Sequence, residues 1–285
     1  MKEDPASSLS VPGNPPDGAP AYFLRLLLTG LAWGAFGFGG LCLSFAFRAL
    51  PLFLRDRGAR IRFARRTVSA SFRLFVGFLK AARVADIDTS GIRELRRSRG
   101  VIIAANHPTL LDYVFIASEL PEVDCLVKAG LSKNFFLKGI VKAAGYMLNS
   151  ESAPELIAEA RERLAEGGSI LIFPEGTRTR PGERMPLRRG AAQMALRSGA
   201  TIRLVHIKCS EFWLTKGAPW YRIPAARPVI RIEEAGSLEA RDFWSTDEAK
   251  LPAAARAMTA ALAESLAPGA SELQKKREST RNGNR

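Results

Sequence analysis

Histidine is scarce in this chain of 285 residues: only His107 and His206 occur. Two widely separated imidazoles leave no basis for a histidine-rich metal centre. Cysteine is nearly as rare. Cys42, Cys125 and Cys209 form no CxxC pair and cannot build an even-numbered disulfide framework, which fits a reduced compartment or a membrane setting. There is no G-x-S-x-G run, so the nucleophile elbow of the serine hydrolases is missing. Acidic residues are also short in supply, 28 against 42 basic ones, and leave a formal net charge of +14. That balance favours anionic partners: nucleic acid, an anionic membrane, an acidic carrier protein or a phosphorylated small molecule. No helix-turn-helix, zinc finger or aromatic-basic RNA motif accompanies the charge, so nucleic acid is set aside.

Residues 1–20 are rich in Pro, Ser, Gly and Asp and are expected to form a disordered tail. The apolar stretch that follows comes too late for a signal peptide. From Leu26 to Phe47 no side chain is charged. These residues would span about 33 Å as a helix, against a hydrocarbon core of roughly 30 Å. Arg55, Arg57, Arg60, Arg62, Arg65 and Arg66 come next; basic residues beside an apolar segment favour the cytoplasmic side and bind anionic headgroups. Between Phe63 and Val84, the residues Phe72, Phe75, Val76, Leu79 and Val84 share a helical face. This second helix either lies at the membrane interface or packs on the domain. Residues 21–84 are thus expected to be a helical membrane-anchoring region, 85–267 a folded domain and 268–285 a second disordered tail.

Past residue 100, short apolar runs alternate with helical stretches. Strands are predicted at Val101–Ala105, Val123–Val127, Ser169–Phe173, Thr201–Ile207 and Pro228–Ile232. Helices are predicted at Thr109–Ser118, Ala153–Ala165, Leu187–Ser198 and Glu248–Ser265. Ser152 and Glu155 form a capping box for the second of these helices, and Gly167 ends it. Such alternation predicts an α/β domain with helices on the faces of its sheet.

The run Ala105-Asn106-His107-Pro108-Thr109-Leu110-Leu111-Asp112 carries the chemistry. An apolar strand ends at Asn106, and Pro108 suits a first helical turn. His107 therefore sits at the C-terminal edge of a strand, with Asp112 about one turn into the next helix. A carboxylate beside an imidazole fixes its tautomer and stabilises the imidazolium, freeing the other nitrogen to remove a proton from a hydroxyl. With no enzyme nucleophile nearby, the substrate hydroxyl is the simplest attacker. A second run, Phe173-Pro174-Glu175-Gly176-Thr177-Arg178-Thr179-Arg180, ends a strand in a turn whose N–H groups can cup an anion. Arg178 there could grip a phosphate or carboxylate.

NHPTLLD and FPEGTRT, in this order and roughly sixty residues apart, resemble the motifs of the 1-acylglycerol-3-phosphate (lysophosphatidic acid) acyltransferase family. The resemblance spans roughly residues 70 to 235. It implies a mixed sheet flanked by helices (a glycerolipid acyltransferase-like domain), with an N-terminal helical membrane anchor. It also implies transfer of a fatty acyl group from acyl-CoA or acyl carrier protein to a lysophospholipid hydroxyl. The thioester is then a donor substrate, and no cofactor or metal is needed. By the same resemblance His107 is the base and Asp112 its partner, while Asn106, Lys128, Glu175, Gly176, Thr177 and Arg178 contribute to substrate binding. The implied partners are membrane lipids and an acyl carrier protein, and the implied location is the inner (cytoplasmic) membrane with the domain facing the cytoplasm.

Two departures stand out. Asn149 occupies the place of an arginine expected to bind the acceptor phosphate, and Arg203-Leu204-Val205-His206-Ile207 replaces a Val-Pro-Val type strand. Loss of that arginine opens the acceptor to other lyso-lipids. His206, inside an apolar strand, reads as structural. Lys133, Lys138 and Lys142, near Phe135 and Phe136, form either a basic apolar docking face or a solvated helix face. The competing readings are a phospholipid-dependent transacylase and a catalytically silent membrane-binding module.

Overall fold

A computed structural model describes residues 11–127, 130, 134–135, 137–149, 153–180, 185–243 and 247–267. The chain opens with the helices α1 (Ala19–Ala46), α2 (Leu50–Phe53) and α3 (Arg57–Ala81). The continuous stretch Ala19–Phe53 is long and apolar enough to cross a membrane, and only 11% of its apolar window is buried within the protein. Helix α1 starts before the charge-free run and takes in Arg25. That guanidinium is buried but fully employed: it bonds Asp17 at 2.7 Å and the carbonyls of Pro224 and Ala225 at 2.7 and 3.0 Å. Pairing removes the cost of desolvating an isolated charge.

Residues 1–10 of the expected tail lie outside the described residues. Residues 11–18 run against the domain, where Asn14 bonds Asp86 and the Arg227 carbonyl, Asp17 N–H bonds the Ala225 carbonyl, and Pro16 pairs with Ala226. Polar composition suggested disorder, but these polar groups find partners far away in sequence.

Among the described residues, the domain alternates β1 (Asp86–Gly91), β2 (Ile102–Ala105), α4 (Asp112–Glu119), β3 (Asp124–Val127), α5 (Lys138–Ala144), β4 (Met147–Leu148), α6 (Ala153–Ala165), β5 (Ile170–Ile172), α7 (Gly190–Ser198), β6 (Ile202–Cys209), β7 (Val229–Leu238) and α8 (Leu251–Leu266). The strands form one sheet in the order β1-β7-β6-β2-β5-β3-β4. All neighbours are parallel except β6 and β7, so the sheet is mixed. Both faces are covered, which is why the central strands read as unbroken apolar runs. One face buries Ile103, Ala105, Leu171 and Val205 with α3 and α4 residues such as Leu79 and Phe115. The other buries Ile102, Ile170 and Ile202 with Leu164, Met194 and Met258 from α6, α7 and α8.

Several boundaries differ from expectation. Helix α4 begins at Asp112, not Thr109, because the Asp112 carboxylate takes the Thr109 N–H and hydroxyl and holds residues 109–111 as a turn. Strands β1 and β4 were not anticipated: one is a polar run and the other only two residues long. Strand β7 extends past Ile232 to Leu238, its length set by pairing with β6. Ser152, the expected cap of α6, lies outside the described residues.

The second anchor helix is packed on the domain. Val76 and Leu79 are buried and Arg73 bonds the Ser118 carbonyl, while Leu74 stays exposed. Arg65 of α3 bonds Asp124 at 2.7 Å, and Arg163 of α6 forms an ion pair with the same carboxylate.

Candidate active site

Strands β2, β5 and β6 run in parallel and deliver three loops to one edge of the sheet. Open α/β sheets place their sites at such carboxyl ends. The loop after β2 carries Asn106 and His107, the loop after β5 carries Pro174–Arg180, and the loop after β6 carries Trp213–Thr215.

His107 Nδ1 lies 2.8 Å from Asp112 Oδ2. A carboxylate can only accept, so the shared proton sits on Nδ1 and Nε2 is left with a lone pair. Asp112 is fully buried, and its carboxylate also accepts the Thr109 N–H at 2.8 Å and the Thr109 hydroxyl at 2.6 Å. Three donors fix the carboxylate in one orientation. The imidazole stays partly open, with 20% of its side-chain surface exposed, and stacks on Phe173 with ring centroids 4.2 Å apart. An apolar ring therefore holds one face of the imidazole while its edge stays reachable.

Glu175 ties the two motifs together. Its Oε1 accepts the His107 backbone N–H at 2.8 Å, its Oε2 pairs with the Thr179 hydroxyl, and the Thr179 N–H reaches the His107 carbonyl at 3.1 Å. Glu175 is 2% exposed, and burial raises its carboxyl above the ordinary value, offset in part by those donors. Through these contacts Glu175 organises the loop that carries His107. The Asn106 amide donates to the Ile207 carbonyl and accepts the Ile207 N–H, at 2.9 and 2.7 Å, extending the β2–β6 pairing by one residue.

Gly176 sits at φ +67 in a turn closed by its N–H to the Phe173 carbonyl, and a Cβ there would meet Arg188 Nε at 2.7 Å. Only glycine satisfies both the backbone and the overlying arginine. Thr177 is half-buried beside it. Arg178 Nη1 donates to the carbonyls of Leu214 and Thr215 at 3.0 and 3.2 Å. The Leu214 carbonyl also accepts the Leu110 N–H, so one peptide of the β6 loop braces both motifs. Lys128 lies outside the described residues. Asn149 is exposed at the end of β4, on the same sheet edge.

A cavity of 630 Å³ lies between α1, α3 and the domain, walled by Phe36 of α1, Phe72 of α3, Tyr113 and Val114 of α4, and Val127 and Tyr146. Its wall is almost wholly apolar. Burial pushes the Tyr113 and Tyr146 hydroxyls well up, which keeps them neutral.

Sequence reasoning missed Phe173 as the ring under the imidazole, Thr109 as a donor to Asp112, and Trp213–Thr215 altogether. Thr109 carried a local signal, a hydroxyl three residues before an acid. The β6 loop carried none, because only the sheet brings residue 214 to residues 110 and 178.

This is the fold and motif set of an α/β acyltransferase domain: residues 86–208 match the family model described as Acyltransferase. In this domain the chain is similar to the lysophosphatidic acid acyltransferases. It is 31% identical over 133 residues to human 1-acyl-sn-glycerol-3-phosphate acyltransferase beta, covering 44% of this chain and 47% of that protein. Over 121 residues it is 31% identical to the 1-acyl-sn-glycerol-3-phosphate acyltransferase of Borreliella burgdorferi, covering 41% and 48%. The chain thus spans about half the length of the curated relatives it matches. In structure it resembles the 1-acyl-sn-glycerophosphate (LPA) acyltransferase PlsC from Thermotoga maritima, with a TM-score of 0.62 and 18% identity over 86% of this chain and 97% of that one.

Proposed function

We propose that this chain is a membrane-bound O-acyltransferase that moves a fatty acyl group from a thioester to the hydroxyl of a lyso-lipid. The observation that carries the reading is the 2.8 Å bond between His107 and the fully buried Asp112, with the other edge of the imidazole still reachable. In this scheme His107 Nε2 takes the acceptor hydroxyl proton as the oxygen attacks the thioester carbonyl. The tetrahedral intermediate collapses, the carbon–sulfur bond breaks, and the imidazolium returns its proton to the leaving thiolate. Asp112 stabilises the imidazolium throughout and stays ionised. No covalent enzyme intermediate and no cofactor enter.

The apolar cavity supports an acyl chain as the transferred group. Its volume falls within the roughly 300–1,000 Å³ of small-molecule sites, and Tyr113 and Val114, which follow Asp112 in sequence, are part of its wall. The apolar stretch of α1 and α2 and the arginines that follow support attachment to the inner membrane, with the domain on the cytoplasmic side. The Gly176 turn, Thr177 and Arg178 are the groups we assign to the acceptor, with Lys128 as a further cation. The donor is acyl-CoA or acyl carrier protein.

Asn149 favours an acceptor other than lysophosphatidic acid, because one expected cation at the phosphate is missing. The deciding experiment incubates purified protein with a panel of lyso-lipids and both donor types, and identifies products by mass spectrometry. Transfer by the wild type and none by His107→Ala, with membrane binding intact in both, is the expected result. Transfer that needs no added thioester would instead support a phospholipid-dependent transacylase, and full turnover by His107→Ala would end the proposal.

A further inference from the structure

Residues 212–227, between β6 and β7, carry Lys216, Arg222 and Arg227 and no acidic residue. Phe212, Trp220 and Tyr221 are 41%, 44% and 59% exposed, and the Trp220 and Tyr221 rings meet edge to face at 5.7 Å. Three aromatics facing outward among cations are an unusual use of a loop on a water-facing surface. Tryptophan and tyrosine combine an apolar ring with a polar tip and concentrate where hydrocarbon meets water.

The loop is not isolated. The Trp220 indole lies on Gly30 of α1, where an added Cβ would sit 3.4 Å from the ring. Arg25 of the same helix holds the Pro224 and Ala225 carbonyls. Next to these contacts α1 exposes Phe23, Leu27 and Leu31, spaced four apart and therefore on one face. At its other end the loop supplies the Leu214 and Thr215 carbonyls that hold Arg178 and Leu110. Leu214 adopts φ +52, a left-handed conformation costly for a non-glycine residue and sustained here by those bonds.

The geometry points to a second bilayer contact: the 212–222 loop seats Trp220 and Tyr221 in the headgroup layer of an anionic membrane, continuous with the exposed face of α1. The inference rests on the membrane reading of α1. Its consequence is that the β6 loop, which braces both active-site motifs, is itself seated on the lipid surface from which the acceptor arrives. The aromatic rings supply apolar contact, and Lys216 and Arg222 meet anionic headgroups.

The test uses the full chain with Cys42→Ser, leaving only the buried Cys125 and Cys209. A solvent-sensitive fluorophore is attached singly through Leu27→Cys or Tyr221→Cys, and vesicles of phosphatidylethanolamine and phosphatidylglycerol are added with iodide as the aqueous quencher. Both labels are expected to shift to the blue and lose iodide quenching severalfold. Shielding at position 27 with position 221 as accessible as before would overturn the loop contact and leave the anchor standing. Accessibility at both positions would overturn the two together.

A kinetic arm uses Trp220→Ser/Tyr221→Ser. The KM for a vesicle-borne lyso-lipid is expected to rise roughly tenfold, which is ~1.4 kcal/mol. The rate on a short-chain acceptor kept below its micelle concentration should not change. An equal loss on both acceptors would mean that the loop serves only to brace Arg178, and would overturn the proposal.

Discussion

The two histidines of this chain stand in parallel positions and meet opposite fates. Each is associated with a parallel strand of the same sheet, and each has one ring nitrogen in a short hydrogen bond. His107 follows β2, bonds a carboxylate at 2.8 Å and keeps a reachable edge. His206 lies within β6, bonds the Ser265 carbonyl at 2.6 Å and is 4% exposed. A carbonyl partner fixes a neutral ring and offers no charge to stabilise an imidazolium. A buried carboxylate does offer it. Burial lowers the His206 pKa from its ordinary value, with Lys208 adding to the effect and the Ser265 carbonyl and Glu233 opposing it. What makes an imidazole chemically useful is the partner behind it and the opening in front, and one ring here has both.

The sharpest way to break the comparison is to remove each ring in turn. His107→Ala should lower acyl transfer by about 10²–10⁴-fold, while His206→Gln, whose amide can still donate to Ser265, should transfer acyl groups at the wild-type rate. Similar losses from both variants would remove the distinction.

Glu175→Ala tests whether the His107 backbone is held in place by the second motif. It strands the part-buried His107 N–H and the Thr179 hydroxyl, which should cost about 1 kcal/mol of stability, read as a lower urea midpoint. Glu175→Gln, which keeps an acceptor, should recover most of it.

Asn149→Arg restores a cation to the sheet edge that carries His107. Activity on lysophosphatidic acid relative to uncharged lyso-lipids should rise roughly tenfold, the scale of one charge-assisted hydrogen bond. No change in that ratio would separate Asn149 from acceptor choice.

The smallest effect concerns pH. The unfolded chain binds a proton on His206 near the ordinary value of 6.5, and the folded chain resists it. Stability therefore falls as pH drops through that value, because the unfolded state binds more protons. His206→Gln should flatten this part of the profile of unfolding midpoint against pH and leave the midpoint near pH 8 unchanged.

Local features of the sequence located the dyad. The apolar run before Asn106, the proline after His107 and the acid one turn on all lie within eight residues, so short-range chemistry was enough. Four of the five anticipated strands were legible because both faces of the sheet are buried there and the strands are correspondingly apolar; the fifth, in β7, alternates buried Ile230 and Ile232 with exposed Arg231. Strand β1 was not, since Asp86–Gly91 is polar and is held in the sheet by pairing with β7. The protein contacts of Glu175 and Asn106 were not legible for a related reason. A motif names a residue but not the direction its side chain takes, and both turn toward the backbone. The ordered course of residues 11–18 depends on partners such as Arg227, 213 positions from Asn14, which no local window contains.

One carboxylate bears on the order in which the chain can assemble. Asp124 receives Arg65 from α3 and Arg163 from α6, so it joins the N-terminal helices to the interior of the domain. Arg65 emerges from the ribosome 59 residues ahead of Asp124, and synthesis runs from the N-terminus. Until the third strand has been made, α3 lacks the charge that lets Arg65 leave water. Docking of α3 onto the domain must therefore wait for the middle of the chain, although α3 itself is among the first helices to be made.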